Sequence, residues 1–267
     1  MERGVTTGER TETEPLMVSA GRADRAMTER ILQTADEAGY RAALIDATDG
    51  SVTGWPRFAW TVRAAGAGLT RRGLAAGDTA GVFVRDAADA AIAVNAIRVA
   101  GAAACLIRSD ASAADVAARL NDCGARLLIT SAPLAELAAE GADRSRVRQV
   151  ISFGEAEGTT PFGSLLGSGP ADGLADMVEP GRPEEGNGQA DQYELTHRDM
   201  VVAGPPCGDG QAYTSLLDLT LLTGATLVAA PLPLIAAAVR VYKGTAAIVP
   251  RGTHVPGVAP ARVFPVA

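Results

Sequence analysis

The sequence predicts an α/β fold in which mostly parallel sheets are flanked by helices. Short apolar runs recur at residues 80–84, 102–107, 126–130 and 147–153. Helix-length segments separate them, so each strand returns through a crossover, as parallel pairing requires. The runs are close to unbroken rather than alternating, which is the pattern of strands covered on both faces.

Each element follows from local chemistry. Residues 57–72 set Phe58, Val62, Ala65 and Leu69 on one helical face, and Gly73 ends the helix. A second helix at 86–100 turns Ile92, Ala96 and Val99 inward. Ser112 and Asp115 have the spacing of a capping box for a third helix, which Gly124 stops. A short helix follows Pro133. Further along, helices at 213–222 and 234–242 precede strands at 225–229 and 245–249. Asp46 and Asp49, in Asp-Ala-Thr-Asp-Gly, read as a hairpin turn between short strands rather than as a metal site.

Residues 154–192 interrupt the alternation. They are rich in Gly, Pro, Ser, Glu and Asp, the composition of a linker or a long surface loop. The organisation expected is a disordered start at 1–16, a first α/β subdomain at 17–153, that loop at 154–192, a partial second α/β subdomain at 193–250, and a Gly/Pro-rich tail at 251–267.

Composition narrows function by exclusion. A chain of 267 residues, 47% hydrophobic, has ample length for a buried core. Its net charge of −7 repels phosphate backbones and argues against nucleic acid as a partner. No apolar run reaches the ~18 residues of a membrane helix, and residues 1–10 lack the apolar core of an export signal. A cytoplasmic protein without a membrane partner is expected. Cys105, Cys123 and Cys207 match the spacing of no metal site or redox pair and read as free thiols. His254 reads as a surface histidine, and no metal site is expected.

Five segments, in order, carry a resemblance. They are residues 64–78 (AAGAGLTRRGLAAGD), Ile97-Arg98-Val99-Ala100-Gly101-Ala102, residues 120–130 (LNDCGARLLIT), Leu195-Thr196-His197-Arg198-Asp199-Met200-Val201 and residues 222–228 (LTGATLV). Together they resemble the N-terminal half of the adenylate-forming enzymes, in the acyl-CoA synthetase and 4-coumarate–CoA ligase branch. The resemblance implies that family's N-terminal α/β subdomains without its C-terminal domain. It also implies a reaction that joins a carboxylate to the α-phosphorus of ATP and expels pyrophosphate.

The residues that would perform that reaction are altered. The family holds the phosphates with a loop of the form [ST]-[ST]-G-T-T-G-x-P-K-G, whose glycines admit backbone N–H groups and whose lysine supplies positive charge. Aligning on Thr196-His197-Arg198 sets residues 185–192 (EGNGQADQ) on G-T-T-G-x-P-K-G. Gly188 keeps its place, and Asp191 stands where the lysine belongs. At an effective dielectric of ~20 a unit charge pair at 4 Å is worth about 4 kcal/mol, so the reversal costs up to about twice that. Residues 154–200 contain no lysine, which leaves none for a gapped alignment. Gly186, Asn187, Gly188, Asp191 and Thr196 are thus vestigial phosphate-loop positions, and no catalytic residue is assigned. The stretch matching the family's P-x-F-H-x-x-G, residues 206–212 (PCGDGQA), has no histidine. His197 is expected to cap or orient a helix that follows it. The later family motifs, including the adenine-binding segment and the C-terminal lysine, have no counterpart here.

The reading expected is a truncated, catalytically inactive relative that acts by binding. Its partners would be a full-length ligase, a carrier protein or a second copy of itself. No cofactor is expected. ATP with Mg and CoA enter only if the chain is a ligase completed by a second polypeptide. A further reading is a carboxylic-acid or acyl-CoA binder without ATP chemistry, with Ala212, Leu216 and Leu217 lining a groove.

Overall fold

A computed structural model describes residues 13–167 and 195–266, with side chains from residue 24 onward. Helix α1 (Thr13–Ala38) leads into a hairpin of β1 (Ala42–Asp46) and β2 (Val52–Gly54), then α2 (Trp55–Arg71). Next come β3 (Thr79–Phe83), α3 (Ala87–Val99), β4 (Ala103–Leu106), α4 (Ala113–Asp122), β5 (Leu127–Ser131), α5 (Ala135–Asp143), β6 (Gln149–Phe153) and β7 (Thr160–Pro161). The remainder is β8 (Met200–Ala203), α6 (Gly210–Leu222), β9 (Thr226–Ala229), α7 (Ile235–Val241), β10 (Ala246–Pro250) and β11 (Val263–Val266).

Two sheets result. One has the order β4-β3-β5-β6-β7, all parallel; the other runs β11-β10-β8-β9-β1-β2, with β1–β2 as its antiparallel pair. This is the expected α/β class. The division of the sheets does not follow the sequence boundary at 154–192, because β1 and β2 join the sheet of β8–β11. The main core fills the space between the sheets around Trp55, Phe58, Phe162, Tyr213 and the inner faces of α2, α3 and α6. Among the described residues no helix is long and apolar enough to cross a membrane.

Local signals behave as their chemistry dictates. Ser112 and Asp115 form the reciprocal capping box of α4. Gly124 takes a φ of 63°, which frees the chain to leave that helix. In the β1–β2 turn, Asp46 accepts from the N–H of Thr48 at 2.7 Å and Asp49 from that of Ser51 at 2.8 Å.

Three segments differ from expectation. Helix α1 already contains residues 13–16, expected as part of a disordered start; residues 1–12 lie outside the described residues. Its inner face is Thr28, Ile31, Leu32, Ala35 and Ala38, with Thr28 donating to buried Asn95 at 2.8 Å. Within the expected loop, residues 154–167 are mostly exposed but include β7 and a helical turn anchored by Phe162 and Leu165, while 168–192 lie outside the described residues. Phe162 stacks on Phe153 at 4.1 Å between ring centroids, and Leu165 is fully buried against α2. The tail is also structured: β11 pairs in parallel with β10 and covers that edge.

Gly68 makes the α2 contact possible. A Cβ there would overlap the Leu165 carbonyl oxygen and sit 2.8 Å from Leu165 Cα, which is backbone and cannot swing away. Gly68→Ala is expected to lower stability by about 1–3 kcal/mol. Gly163→Ala, where a Cβ meets nothing within 4 Å, should stay within about 0.5 kcal/mol of the parent. Thermal unfolding of both variants checks this, and equal midpoints for the two would contradict it.

Candidate functional site

Parallel α/β sheets open their ligand crevices at the carboxyl ends of the strands, and here the carboxyl ends of both sheets converge. Asp46 ends β1. Asp86 follows β3 and caps α3, accepting from the Asp89 N–H at 2.9 Å. Ser109, beyond β4, donates its N–H at 2.9 Å and its hydroxyl at 3.1 Å to the carbonyl of Pro206, beyond β8. The buried Tyr213 hydroxyl donates to the Gly204 carbonyl at 2.6 Å.

On this side Asp46, Asp86 and Asp89 are gathered, with exposed Arg85 just after β3 and exposed Arg108 just after β4. Asp89 accepts from the Ser131 hydroxyl at 2.7 Å, and Ser131 in turn accepts from the N–H of Arg85 at 3.0 Å. Burial, and after it the negative charge of Asp86, lifts the Asp89 carboxyl to about 8. Burial also raises Asp86, with Asp46 adding like charge. The cluster therefore retains a proton near neutral pH. Among the described residues no three His, Cys, Asp or Glu side chains are arranged to hold a metal ion. By sequence Asp86 reads as a helix start and Asp46 as a turn residue; their shared position at or just past strand ends is the signal that joins them.

The loop of Pro205-Pro206-Cys207-Gly208-Asp209 borders this place. Asp209 caps α6, accepting from the N–H groups of Gln211 at 2.7 Å and Ala212 at 3.2 Å. Cys207 is half-buried, and burial pushes its thiol up. Of the residues expected to line a groove, Leu217 is core, Leu216 packs partly against it, and Ala212 faces solvent. His254 is exposed, as expected. A separate groove of about 730 Å³ lies between the end of α1 and the start of α2, lined by Ala35, Tyr40, Pro56, Ala59 and Trp60.

Of the phosphate-loop positions, Gly186, Asn187, Gly188 and Asp191 lie outside the described residues, and Thr196 lies within them. Thr196 sits in a turn that enters β8 directly. Its N–H and hydroxyl both donate to Asp199 Oδ2, at 2.6 and 3.1 Å. The helix expected after Thr196-His197-Arg198 is replaced by a strand, because Met200-Val201-Val202-Ala203 is an apolar run paired on both edges, with β9 and β10. His197 caps no helix; its carbonyl accepts from Arg41 Nη1 at 2.9 Å. Asp199 Oδ1 fixes the turn further, accepting from the Thr245 hydroxyl at 2.6 Å and from Arg262 Nη2 at 2.8 Å. Thr196 is thereby placed at the amino ends of the parallel strands, a strand length of about 13 Å from their carboxyl ends. Lys243, the sole lysine of the sequence, is exposed just before β10, at the same amino end.

Comparison with known proteins fits this geometry. The AMP-binding enzyme family matches residues 32–184, more than half of the chain. No curated protein matches. Among solved structures, a long-chain-fatty-acid-CoA ligase from Archaeoglobus fulgidus superposes with a TM-score of 0.66 at 20% identity, over 84% of this chain and 51% of that one. A Mycobacterium tuberculosis fatty acyl CoA synthetase gives 0.64 at 15% identity, over 86% and 51%. An amide bond synthetase from Marinactinospora thermotolerans gives 0.64 at 15%, over 90% and 53%. The chain spans about half the length of each of these three. At such identities the likeness is one of fold, and it is the fold of acyl-CoA ligase structures. With the family match over residues 32–184, the chain belongs to the AMP-binding enzyme family.

Proposed function

We propose that this acyl-CoA synthetase-like chain has lost adenylate formation and acts by binding, in the cytoplasm, where free thiols persist. Its partner would be a full-length ligase, a carrier protein or a second copy of itself. The observation that carries the reading is Asp191, an anion where the family's phosphate loop has its lysine. The geometry supports it in two ways. Lys243, the one lysine of the sequence, belongs to the amino ends of the strands. At the carboxyl ends of the strands Asp46 lies near enough to Asp86 to raise its carboxyl, and negative charge at that place disfavours a polyphosphate. Residues 185–192, with Asp191 at the lysine position and neither threonine, do not fit ATP with its magnesium.

Equilibrium ATP binding and carboxylate-dependent pyrophosphate exchange test the proposal. The purified chain is expected to give neither signal. Asp191→Lys is expected to restore neither, since both threonines of the family loop are also missing. Exchange above background in the parent chain would falsify this reading and favour a ligase.

A further inference from the structure

Cys105 and Cys123 are 18 positions apart and carry no recognisable spacing, yet the fold sets them together. On β4, Ala104 and Leu106 face the main core, so Cys105 between them points to the opposite face. Its register partner on β3 is Gly81. The missing side chain there lets α4 press onto the sheet: a Cβ on Gly81 would sit 2.5 Å from Leu120 Cδ2. Cys123 is the cap residue at the carboxyl end of α4, three positions after Leu120, and packs beside the cluster of Leu120, Ala125 and Leu128. The two side chains are neighbours between β4 and the end of α4, each the foremost influence on the other's ionisation, and the Cys123 thiol donates to the Leu120 carbonyl at 3.7 Å. Cys105 is buried and Cys123 is half-exposed.

We propose that Cys105 and Cys123 form a thiol-redox modification site, in which the more accessible Cys123 is the attacking sulfur and buried Cys105 the resolving one. The co-reactant is a low-molecular-weight disulfide. Cys123 thiolate attacks one of its sulfurs, forms a mixed disulfide and expels one thiolate. Cys105 then gives up its proton and attacks the Cys123 sulfur. That step closes the Cys105–Cys123 bond and expels the second small thiolate, so the protein loses two electrons and two protons and the small disulfide gains them. The outcome ties the edge strand β4 to the end of α4.

The surroundings assign the roles. The Cys105 side chain, then the N–H of Ala125 and the Arg119 charge, outweigh burial and hold the Cys123 thiol at about 7. Cys105 is pushed up, first by Cys123 and then by burial. Cys207 is pushed up by burial and by Asp110. Cys123 therefore carries more thiolate than Cys207 at neutral pH and is expected to react first.

The test treats the full chain with oxidised glutathione at pH 7 and maps peptides by mass. Expected is a linked peptide joining Cys105 to Cys123, with Cys207 left free. Cys105→Ala should stop at glutathione on Cys123, and Cys207→Ser should change nothing. Glutathione remaining on Cys123 in the parent chain, or Cys207 reacting first, overturns the proposal. Phenylarsine oxide probes the pair without any substitution: one arsenic bridging Cys105 and Cys123 is expected, and its absence at saturating reagent also overturns it.

Discussion

Asp218→Ala is expected to destabilise the fold by about 3–5 kcal/mol, the cost of leaving a buried charge without its partner. Arg98 of α3 is 6% exposed and donates through Nη1 to both carboxylate oxygens of Asp218 on α6, at 2.8 and 2.9 Å. Its Nε has no hydrogen-bond partner, so the guanidinium already depends on few contacts. Asp24 of α1 stands 3.7 Å from Nη2 but is 41% exposed, and it can compensate for only part of the loss. Burial raises the Asp218 carboxyl and Arg98 opposes that rise. The pair is thus held by mutual dependence more than by net stabilisation. Replacing both residues, as Arg98→Met with Asp218→Leu, should recover most of the stability, because apolar residues of similar volume often match a buried ion pair. Urea unfolding of the two single variants and the double variant decides this. An Asp218→Ala variant within about 1 kcal/mol of the parent would show that Arg98 finds another partner.

The second large effect concerns pH. The Asp89 carboxyl rises from 3.8 to about 8 on folding. Below pH 3.8 it is protonated in both states and its contribution to stability is at its best. Between 3.8 and 8 the unfolded chain loses the proton and the folded chain keeps it, so stability falls as pH rises. Above 8 the loss is complete. Asn mimics the protonated acid and can still accept from Ser131. Asp89→Asn should therefore leave stability at pH 4 near the parent's. At pH 8 it should raise stability by an amount on the order of a few kcal/mol. Part of the slope remains, since Asp86 is also raised by burial. Unfolding midpoints at pH 4, 6 and 8 measure it, and a variant with the parent's full slope would refute the assignment.

Much of this fold was legible because local chemistry specified it. The capping box at Ser112 and Asp115, the stop at Gly124 and the turn at Asp46–Asp49 each need only a few neighbouring residues. What escaped depends on distant partners. Helix α1 buries Thr28 and small alanines along with Ile31 and Leu32, a face that reads as weak until Asn95 and α2 are beside it. Strand β11 is four residues including Pro265, and only the edge of β10 makes it a strand. Thr196-His197-Arg198 suggested a helix by likeness, whereas the apolar Met200–Ala203 run decided for a strand. The candidate site was legible in its losses, through Asp191. Its acidic cluster and the paired thiols were not, because both join residues from separate strands and helices.

The sheet that mixes both ends of the chain has a consequence for how the protein is made. Strands β3 to β7 pair within one continuous stretch and can assemble as soon as that stretch leaves the ribosome. Strand β1 cannot complete its pairing, for Leu44 is matched with Leu227. At about 5–20 residues added per second, the roughly 180 intervening positions take about ten to forty seconds to synthesise. During that wait β1 keeps one open edge, and the nascent chain depends on its own early collapse, or on a chaperone, to keep that edge from the wrong neighbour.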